Sequence, residues 1–331
     1  MKNNIYYRLR RFLGLRAFAI RELFSEYFVI VNQMGTAHDL YENQDKLKAR
    51  IVMTAHSIEK GLSLKNIKLG YGKSKILMLM NDLNHYYKLF NDKSLVVFCL
   101  SIIESYLEYN KSHDIEDKDI LSAYDKMKSV LTENGEQLDY LNGGYFITSR
   151  EKIHSYGKID YYNFVRNRHS IRNFTGNPID IELLNEALKT AAYTPSACNR
   201  QPWGNHIFLD KQKIEQILEF QTGARQFKDD ITCVILVTSK YSSFFGGEYH
   251  QPYVNGGMYA MNLIFALHSQ GLGTTPLNMG FSAKKLKGLK KLCDIKKDEA
   301  PILLIGVGEI AEKLSVASSC RFKFKEYTKY Y

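Results

Sequence analysis

"TPSACNRQPW", residues 194–203, holds two of the six prolines of the chain and its one tryptophan. Pro195 and Pro202 each fix their own φ and restrict the residue before them, so the stretch between them is stiff. Among the side chains between the prolines, Ser196, Asn199 and Gln201 are suited to hydrogen-bond a ligand. Trp203 is suited to anchor the end of the stretch in a core. From these residues alone, a rigid turn after a helix and a binding loop are equally acceptable interpretations.

The chain around this loop alternates helical and strand patterns. Apolar, β-branched runs bounded by turn residues predict buried strands at 205–210, 230–239 and 301–310. Between the runs, apolar periodicity predicts helices at 180–193, 211–221 and 255–273, with Asp180 as the N-cap of the first. The alternation predicts a layered fold that contains both helices and strands.

The N-terminal part of the chain has a different character. Residues 74–90 and 93–110 are long apolar-periodic segments, and the first proline of the chain is Pro178. The glycine pair Gly143-Gly144 interrupts the helical pattern. We therefore predict a mostly helical N-terminal region at 1–150 and a second domain at 151–331.

Composition narrows the class of protein. The chain has 331 residues, 45% of them hydrophobic, and a net charge of +10, which suits an anionic ligand, nucleic acid or an acidic membrane. No nucleic-acid motif accompanies the charge, so a nucleic-acid partner is not expected. The five cysteines are scattered, which favours a reducing cytoplasm and no structural zinc.

The first 30 residues are basic and aromatic and contain no apolar run long enough to cross a membrane. Two interpretations stay open for them. One is a solvated amphipathic helix packed on its own domain, and the other is an interfacial helix that makes a peripheral membrane contact.

A second informative stretch is RNRHSIRNF at 166–174. Arg168, Ser170 and Arg172 alternate, so an extended backbone would point them in one direction. Two forked guanidinium groups and a hydroxyl on one side suit a phosphate. Alternating arginine and serine on an exposed strand edge is the competing interpretation.

The third stretch is GLGTTPLNMGF at 271–281. Its glycines at 271, 273 and 280 allow a flat ligand to approach the backbone and expose main-chain N–H groups. It matches neither the dinucleotide nor the phosphate-loop fingerprint. A helix C-cap at Gly271 followed by a strand would also explain it.

Together, in this order, the three stretches and the late strand PILLIGVGE resemble the FMN-dependent nitroreductase family over about residues 160–331. The resemblance implies an α+β fold, a three-layer sandwich with a central mixed or antiparallel sheet, carried by an obligate homodimer with FMN at the dimer interface. It implies that the FMN phosphate and ribityl chain are bound by Arg168, His169, Ser170, Arg172 and Arg321.

The resemblance further implies that the other two stretches meet the flavin ring. The ring would be contacted from the partner subunit by Pro195, Ser196, Ala197, Asn199 and Gln201. Main-chain N–H groups near Met279 and Gly280 would approach flavin N5, although many relatives have a glutamate where this chain has Met279. Arg225 and Gln226 are weaker candidates for further flavin contacts.

The implied reaction is hydride transfer from NADH or NADPH, through flavin, to an unidentified small-molecule acceptor. No catalytic residue and no metal are expected, since the flavin carries the chemistry, and Cys198 is expected to be a packing residue. Two alternatives remain: a specialised flavin dehydrogenase or reductase acting on a carrier-, sugar- or peptide-linked substrate, and a non-catalytic flavin-binding scaffold at the membrane. Four aromatic residues would form either an acceptor pocket or a packing cluster: Phe244, Phe245, Tyr249 and Tyr253.

The helical region contains the element HSIEKGL at 56–62. His56, Glu59 and Lys60 share one helical face, which fits a solvated charge cluster, a substrate contact or a metal site. A bundle metal site requires a second copy of the pattern, and the sequence has none. Long proteins with this element resemble enzymes of surface-polysaccharide pathways, which suggests such a pathway here.

Overall fold

The computed structural model describes residues 2–35, 39–132 and 143–331, with side chains described from residue 12 onward. The described helices are α1 (Lys2–Gln33), α2 (Gln44–Leu62), α3 (Lys73–Phe90), α4 (Lys93–Lys111), α5 (Lys118–Thr132), α6 (Arg150–Gly157), α7 (Tyr161–Arg166), α8 (Ile181–Ala191), α9 (Lys211–Leu218), α10 (Gln251–Ser269) and α11 (Ala283–Leu292). The described strands are β1 (Trp203–Phe208), β2 (Cys233–Lys240), β3 (Gly273–Leu277) and β4 (Glu299–Gly308).

The N-terminal region is helical, as the sequence predicts. Helices α2 to α5 bury one shared apolar core that includes Leu47, Ile76 and Leu100, all fully buried. A buried carboxylate, Asp82, is held in this core by two hydrogen bonds from Arg50, at 2.9 and 2.7 Å. Burial of the apolar helix faces, rather than helix propensity, is the main source of stability for such a bundle.

The second domain is built on a four-stranded sheet of order β1-β2-β4-β3, in which every neighbouring pair is antiparallel. Side chains alternate between its faces: Ile235 packs with α8 and α10 on one face, and Leu236 packs with α9 and α11 on the other. The sheet therefore has helices on both faces, and the α+β prediction with an antiparallel sheet is confirmed.

The helix caps and the edge proline of this domain follow from single residues of the sequence. Asp180 caps α8 by accepting a hydrogen bond from the Glu182 N–H, as predicted. Gly271 follows α10 with a φ of 76°, a left-handed conformation suited to glycine after a helix. β3 begins two residues later, and its Pro276 is tolerated because β3 lies at the edge of the sheet.

Gly256 lets α10 lie directly on the sheet. An added Cβ would lie 2.5 Å from Cγ1 of Ile302 and 3.3 Å from Cβ of Ser239. We expect Gly256→Ala to lower the free energy of unfolding by about 1–3 kcal/mol, measured by urea denaturation, because the added carbon overpacks this contact. The matched helical variant Gly288→Ala, whose nearest contact is 3.4 Å, should not be destabilised. Equal stability of Gly256→Ala and the parent protein would contradict this packing.

The N-terminal helices contact the second domain of the same chain. Asp45 of α2 forms an ion pair with Lys240 at 2.6 Å, and the Gly35 N–H donates to the Phe244 carbonyl at 2.8 Å. Met34 and Phe244 are buried together in a small apolar cluster. The helical region is thus attached to the segment that follows β2.

Candidate functional site

The segment 166–174 runs beside the β3 edge of the sheet. Ser170 forms a parallel bridge with Thr274, and the Ile171 N–H donates to the Thr274 carbonyl at 2.8 Å. Phe174 then bridges Ile310 after β4. These contacts fix the predicted phosphate-binding arginines at the outer side of β3.

A cavity of about 800 Å³ opens next to this segment. Its walls come from α7, from the segment itself and from the C-terminal tail at 317–321. All five residues predicted to bind a phosphate line it: Arg168, His169, Ser170, Arg172 and Arg321. The remaining cation of the lining is Arg166, at the end of α7. Strong positive charge of this kind, in a concave site, suits an anionic ligand.

Arg168 differs from the other cations of the cavity because one of its hydrogen-bond donors is buried without a partner. Its Nη1 atom is buried and has no hydrogen-bond partner among the described residues. Burial, with a smaller contribution from the nearby Arg321 charge, lowers the pKa of the Arg168 guanidinium. Because a buried donor without a partner is costly, the atom fits a site that an anion completes. The residues present therefore fit a phosphate group.

The loop 194–203 adopts a strained conformation. It contains a 3-10 turn at Ala197–Asn199, and φ is positive at three residues other than glycine: Cys198, Asn199 and Gln201. The Ala197 N–H donates to Oδ1 of Asn255 at 2.8 Å, and the Gln201 N–H donates to Oγ of Ser196 at 3.0 Å. Left-handed backbone at such residues persists only where the surroundings hold it.

Arg200 is the residue that holds this loop, and sequence reasoning missed it. Its fully buried side chain donates to both carboxylate oxygens of Glu248, at 2.8 and 2.6 Å, and to the Ala197 carbonyl at 2.9 Å. The hydrogen bond from Arg200 lowers the pKa of the Glu248 carboxyl. No local sequence pattern predicts that Arg200 pairs with Glu248. The one indication in the sequence is that an arginine lies between two prolines that stiffen the loop.

Trp203 begins β1 and stacks on Tyr259 of α10, with ring centroids 4.6 Å apart and an interplanar angle of 13°. Tyr259 is buried in the core between the sheet and α8 and α10. The predicted anchoring of the loop by Trp203 is therefore observed.

Met279 and Gly280 follow β3. Met279 packs against the core, while the Gly280 N–H donates to Oδ1 of Asn278 at 3.0 Å. Buried Gln221 donates to the Asn278 carbonyl at 2.6 Å and fixes this turn. The weaker candidates, Arg225 and Gln226, are exposed.

The predicted site residues fall into groups at different places. The segment 168–172 and residues 279–280 lie at the β3 edge, whereas the loop 195–201 leads into β1 at the opposite edge. The cavity lining includes no residue of that loop. Within one chain, the loop and the arginines thus do not form a common pocket. The ligand roles of the predicted residues stay predictions.

The four aromatic residues near 250 do not form one group. Phe244 is fully buried beside Met34, which is packing. The Tyr253 hydroxyl is hydrogen-bonded to the Tyr241 hydroxyl at 2.7 Å, and it donates a hydrogen bond to Glu26 of α1 at 3.2 Å. Tyr249 is half exposed. Phe244 therefore belongs to a packing cluster, Phe245 lies beside Gly35 with the Arg200 guanidinium 5.8 Å from its ring centroid, and Tyr253 joins α10 to α1.

In the helical region, Nδ1 of His56 lies 3.0 Å from Oε2 of Glu59, and the other Glu59 oxygen accepts a hydrogen bond from the Gly144 N–H. Among the residues that the structure describes, no group of three or more acidic, histidine or cysteine side chains could hold a metal. Glu59 thus connects α2 to the chain that leaves the helical region.

Across the described segments of the chain, none of the helices combines the length and the apolar character needed to span a membrane.

Comparison with known proteins covers the part of the chain that contains the sheet. Residues 165–309 match the model of the nitroreductase family. The helical region before residue 165 lies outside this match.

Individual relatives each match about half of the chain. The protein named "Putative NAD(P)H nitroreductase Spy0809" of Streptococcus pyogenes is 27% identical, over 45% of this chain and 88% of its own. The iodotyrosine deiodinase of Haliscomenobacter hydrossis is 25% identical, over 46% and 80%. A Desulfovibrio desulfuricans crystal structure of a "putative nitroreductase in complex with fmn" is 18% identical, over 52% and 96%, with a TM-score of 0.45.

Proposed function

We propose that this protein is an FMN-dependent oxidoreductase that passes a hydride from NADH or NADPH to a small-molecule acceptor. The single observation that carries the proposal is the buried, unpartnered Nη1 of Arg168 in a cavity lined by further cations. The family match of residues 165–309 supports it, and so does the name of the Streptococcus pyogenes relative, which includes NAD(P)H.

The chain's own residues would hold the FMN phosphate. Arg168 and Arg172 offer forked donors, Ser170 offers a hydroxyl, and Arg321 adds a third guanidinium from the tail. Once bound, FMN supplies the hydride-transfer chemistry. None of the protein side chains is assigned a proton-transfer or nucleophilic role.

The active unit in this proposal is a homodimer. The loop 195–201 and the cavity lie at opposite edges of one sheet, so the loop of a second copy would complete the flavin site. Arg200 and Glu248 would then position the loop for the partner's flavin. The contacts of the partner's loop with the ring and the approach of Met279 and Gly280 to it belong to this proposal; the loop residues are Pro195, Ser196, Ala197, Asn199 and Gln201.

The acceptor remains open in the proposal. Relatives of similar identity carry names of different activities, a nitroreductase and a deiodinase, so neither substrate transfers to this chain. The surface-polysaccharide pathway depends only on the HSIEKGL element at 56–62 and stays a prediction.

Anaerobic reduction tests the proposed function. The full chain is purified, saturated with FMN and freed of unbound flavin, and NADPH or NADH is then added without oxygen. We expect one or both nicotinamides to bleach the visible flavin absorbance. Retained flavin that neither nicotinamide reduces would contradict the oxidoreductase proposal and would favour a flavin-binding scaffold.

A further inference from the structure

The loop 195–201 is in contact with a segment that lies outside the nitroreductase match. Met34 follows the end of α1, is 1% exposed, and lies in one apolar cluster with Phe244. Ala197 of the loop packs against the same cluster. Because the family match begins at residue 165, this packing joins the loop to a part of the chain that the match does not cover.

Gly35 continues this contact. Its N–H donates to the Phe244 carbonyl at 2.8 Å, and an added Cβ would lie 2.8 Å from Cε1 of Phe245. The backbone at Gly35 therefore lies directly against Phe245 and leaves no room for a side chain. The Arg200 guanidinium carbon lies 4.9 Å from the ring centroid of Phe244 and 5.8 Å from that of Phe245. These two phenylalanines thus connect the N-terminal segment with the arginine that holds the loop.

Helix α2 approaches the loop at a second place. Cα atoms of α2 lie within 8 Å of Cα atoms in the 3-10 turn Ala197–Asn199. Asp45 of α2 pairs with the Lys240 side chain at 2.6 Å, and the Lys240 N–H donates to the Pro202 carbonyl at 2.8 Å. The helical region is therefore close to the turn in the loop and is also linked to its end.

The conformation of the loop depends on its surroundings. At three of its residues other than glycine φ is positive, and such backbone persists only where other groups hold it. The second domain supplies polar support through the pair of Arg200 and Glu248. The N-terminal segment supplies apolar support through Met34. Loss of the apolar support would allow the loop to open locally while the sheet stays folded.

We propose that Met34 and Gly35 are positioning residues of the flavin site, acting on the loop 195–201 through Ala197 and the two phenylalanines. The inference rests on the proposed function, in which this loop contacts the flavin ring of the partner subunit. It assigns a role to the N-terminal region, although the lining of the cavity begins only at Tyr161. Because the loop would meet the ring, displacing it should alter the ring's environment and leave the binding of the phosphate unchanged.

Hydrogen exchange of the flavin-free full chain tests the positioning directly. The amides of residues 199–201 are hydrogen-bonded within the loop. Met34→Ala should accelerate their exchange by about 10-fold or more, because the cavity that it leaves weakens the packing on the loop. The control Met127→Ala removes a comparably buried methionine from the core of the helical region and should not accelerate the loop. Met34→Leu keeps the volume and should restore the parental rate.

A pair of glycine variants adds a second readout, the visible absorbance of bound FMN. Gly35→Ala requires the Phe245 ring to move, whereas Gly14→Ala adds the same carbon in α1, where nothing lies within 4 Å. We expect Gly35→Ala to shift the absorbance maximum and to slow flavin reduction by NADPH or NADH about 10-fold, since small displacements at a reacting centre are costly. Its ratio of FMN to riboflavin affinity should stay parental. Gly14→Ala should match the parent protein in all three measurements.

Faster loop exchange in Met34→Ala, together with a changed flavin absorbance in Gly35→Ala, supports the inference. Parental loop exchange in both variants overturns it. Acceleration spread equally over β2 and β4 also overturns it, since a purely structural role gives that result. Loop acceleration with parental flavin absorbance and reduction overturns the role in the flavin site. A parent protein whose bound FMN neither nicotinamide reduces contradicts the proposed function alone, because exchange and flavin absorbance still report on the loop.

Discussion

Replacing Arg168 by alanine is expected to weaken FMN binding by about 10- to 100-fold, the value of one or two lost charge-assisted hydrogen bonds. The physical reason is the buried Nη1 atom, which has no partner among the described residues and belongs to a side chain that lines the cavity. Fluorescence titration of flavin-free protein measures the change. Arg168→Lys keeps the charge but loses the paired donors of the guanidinium, so the affinity of this variant for FMN should also fall.

The control for this prediction is Arg150→Ala, which removes an exposed arginine from α6, outside the cavity lining. It should bind FMN like the parent protein. An Arg168→Ala protein that binds FMN with unchanged affinity would contradict the assignment of the cavity to the phosphate.

Replacing Glu248 by alanine is expected to cost about 3–5 kcal/mol of unfolding free energy, because it leaves a buried guanidinium unpaired. The Arg200 side chain is 0% exposed and donates to both carboxylate oxygens of Glu248. Urea denaturation measures the loss. The control Glu186→Ala breaks the exposed ion pair with Lys189 and should change stability little. A Glu248→Ala protein as stable as the parent would contradict the structural role of the pair.

The same pair predicts a dependence on pH. The hydrogen bond that Arg200 donates to Glu248 lowers the pKa of the Glu248 carboxyl in the folded protein. A lowered folded-state pKa contributes stability above the ordinary glutamate pKa, and this contribution is lost as the pH falls through the folded value. The stability difference between the parent protein and Glu248→Gln should therefore shrink as the pH falls below the ordinary glutamate pKa of 4.5. A difference that grows toward acid would contradict the paired, ionised state.

Local patterns in the sequence predict much of this fold. The three β-branched runs predicted as strands correspond to β1, β2 and β4. Asp180 caps the start of α8, and Gly271 follows the end of α10 as expected. These features depend on a few neighbouring residues, so they can be inferred without the rest of the chain. The alternating Arg168, Ser170 and Arg172, predicted to face a phosphate, all line the cavity, and their ligand role stays a prediction.

Features that join distant residues could not be predicted in this way. Arg200 and Glu248 meet only because the loop before β1 and the turn before α10 converge. The sheet order places the two predicted halves of the site at opposite edges, which no local pattern encodes. The position of α1 is likewise set by hydrogen bonds of Glu22 and Glu26 to Ala283 and Tyr253, which are distant in the sequence.

The proposed function requires that the cavity lined by Arg168, Arg172 and Arg321 bind the phosphate of FMN. Its most direct test is calorimetric titration of the flavin-free full chain with FMN and with riboflavin, which differ only by that phosphate. We predict that FMN binds at least about 100-fold more tightly than riboflavin, since the charge-assisted bonds to the phosphate are lost in riboflavin. Equal affinity for the two flavins, or no binding of either, would contradict the binding of the FMN phosphate in this cavity.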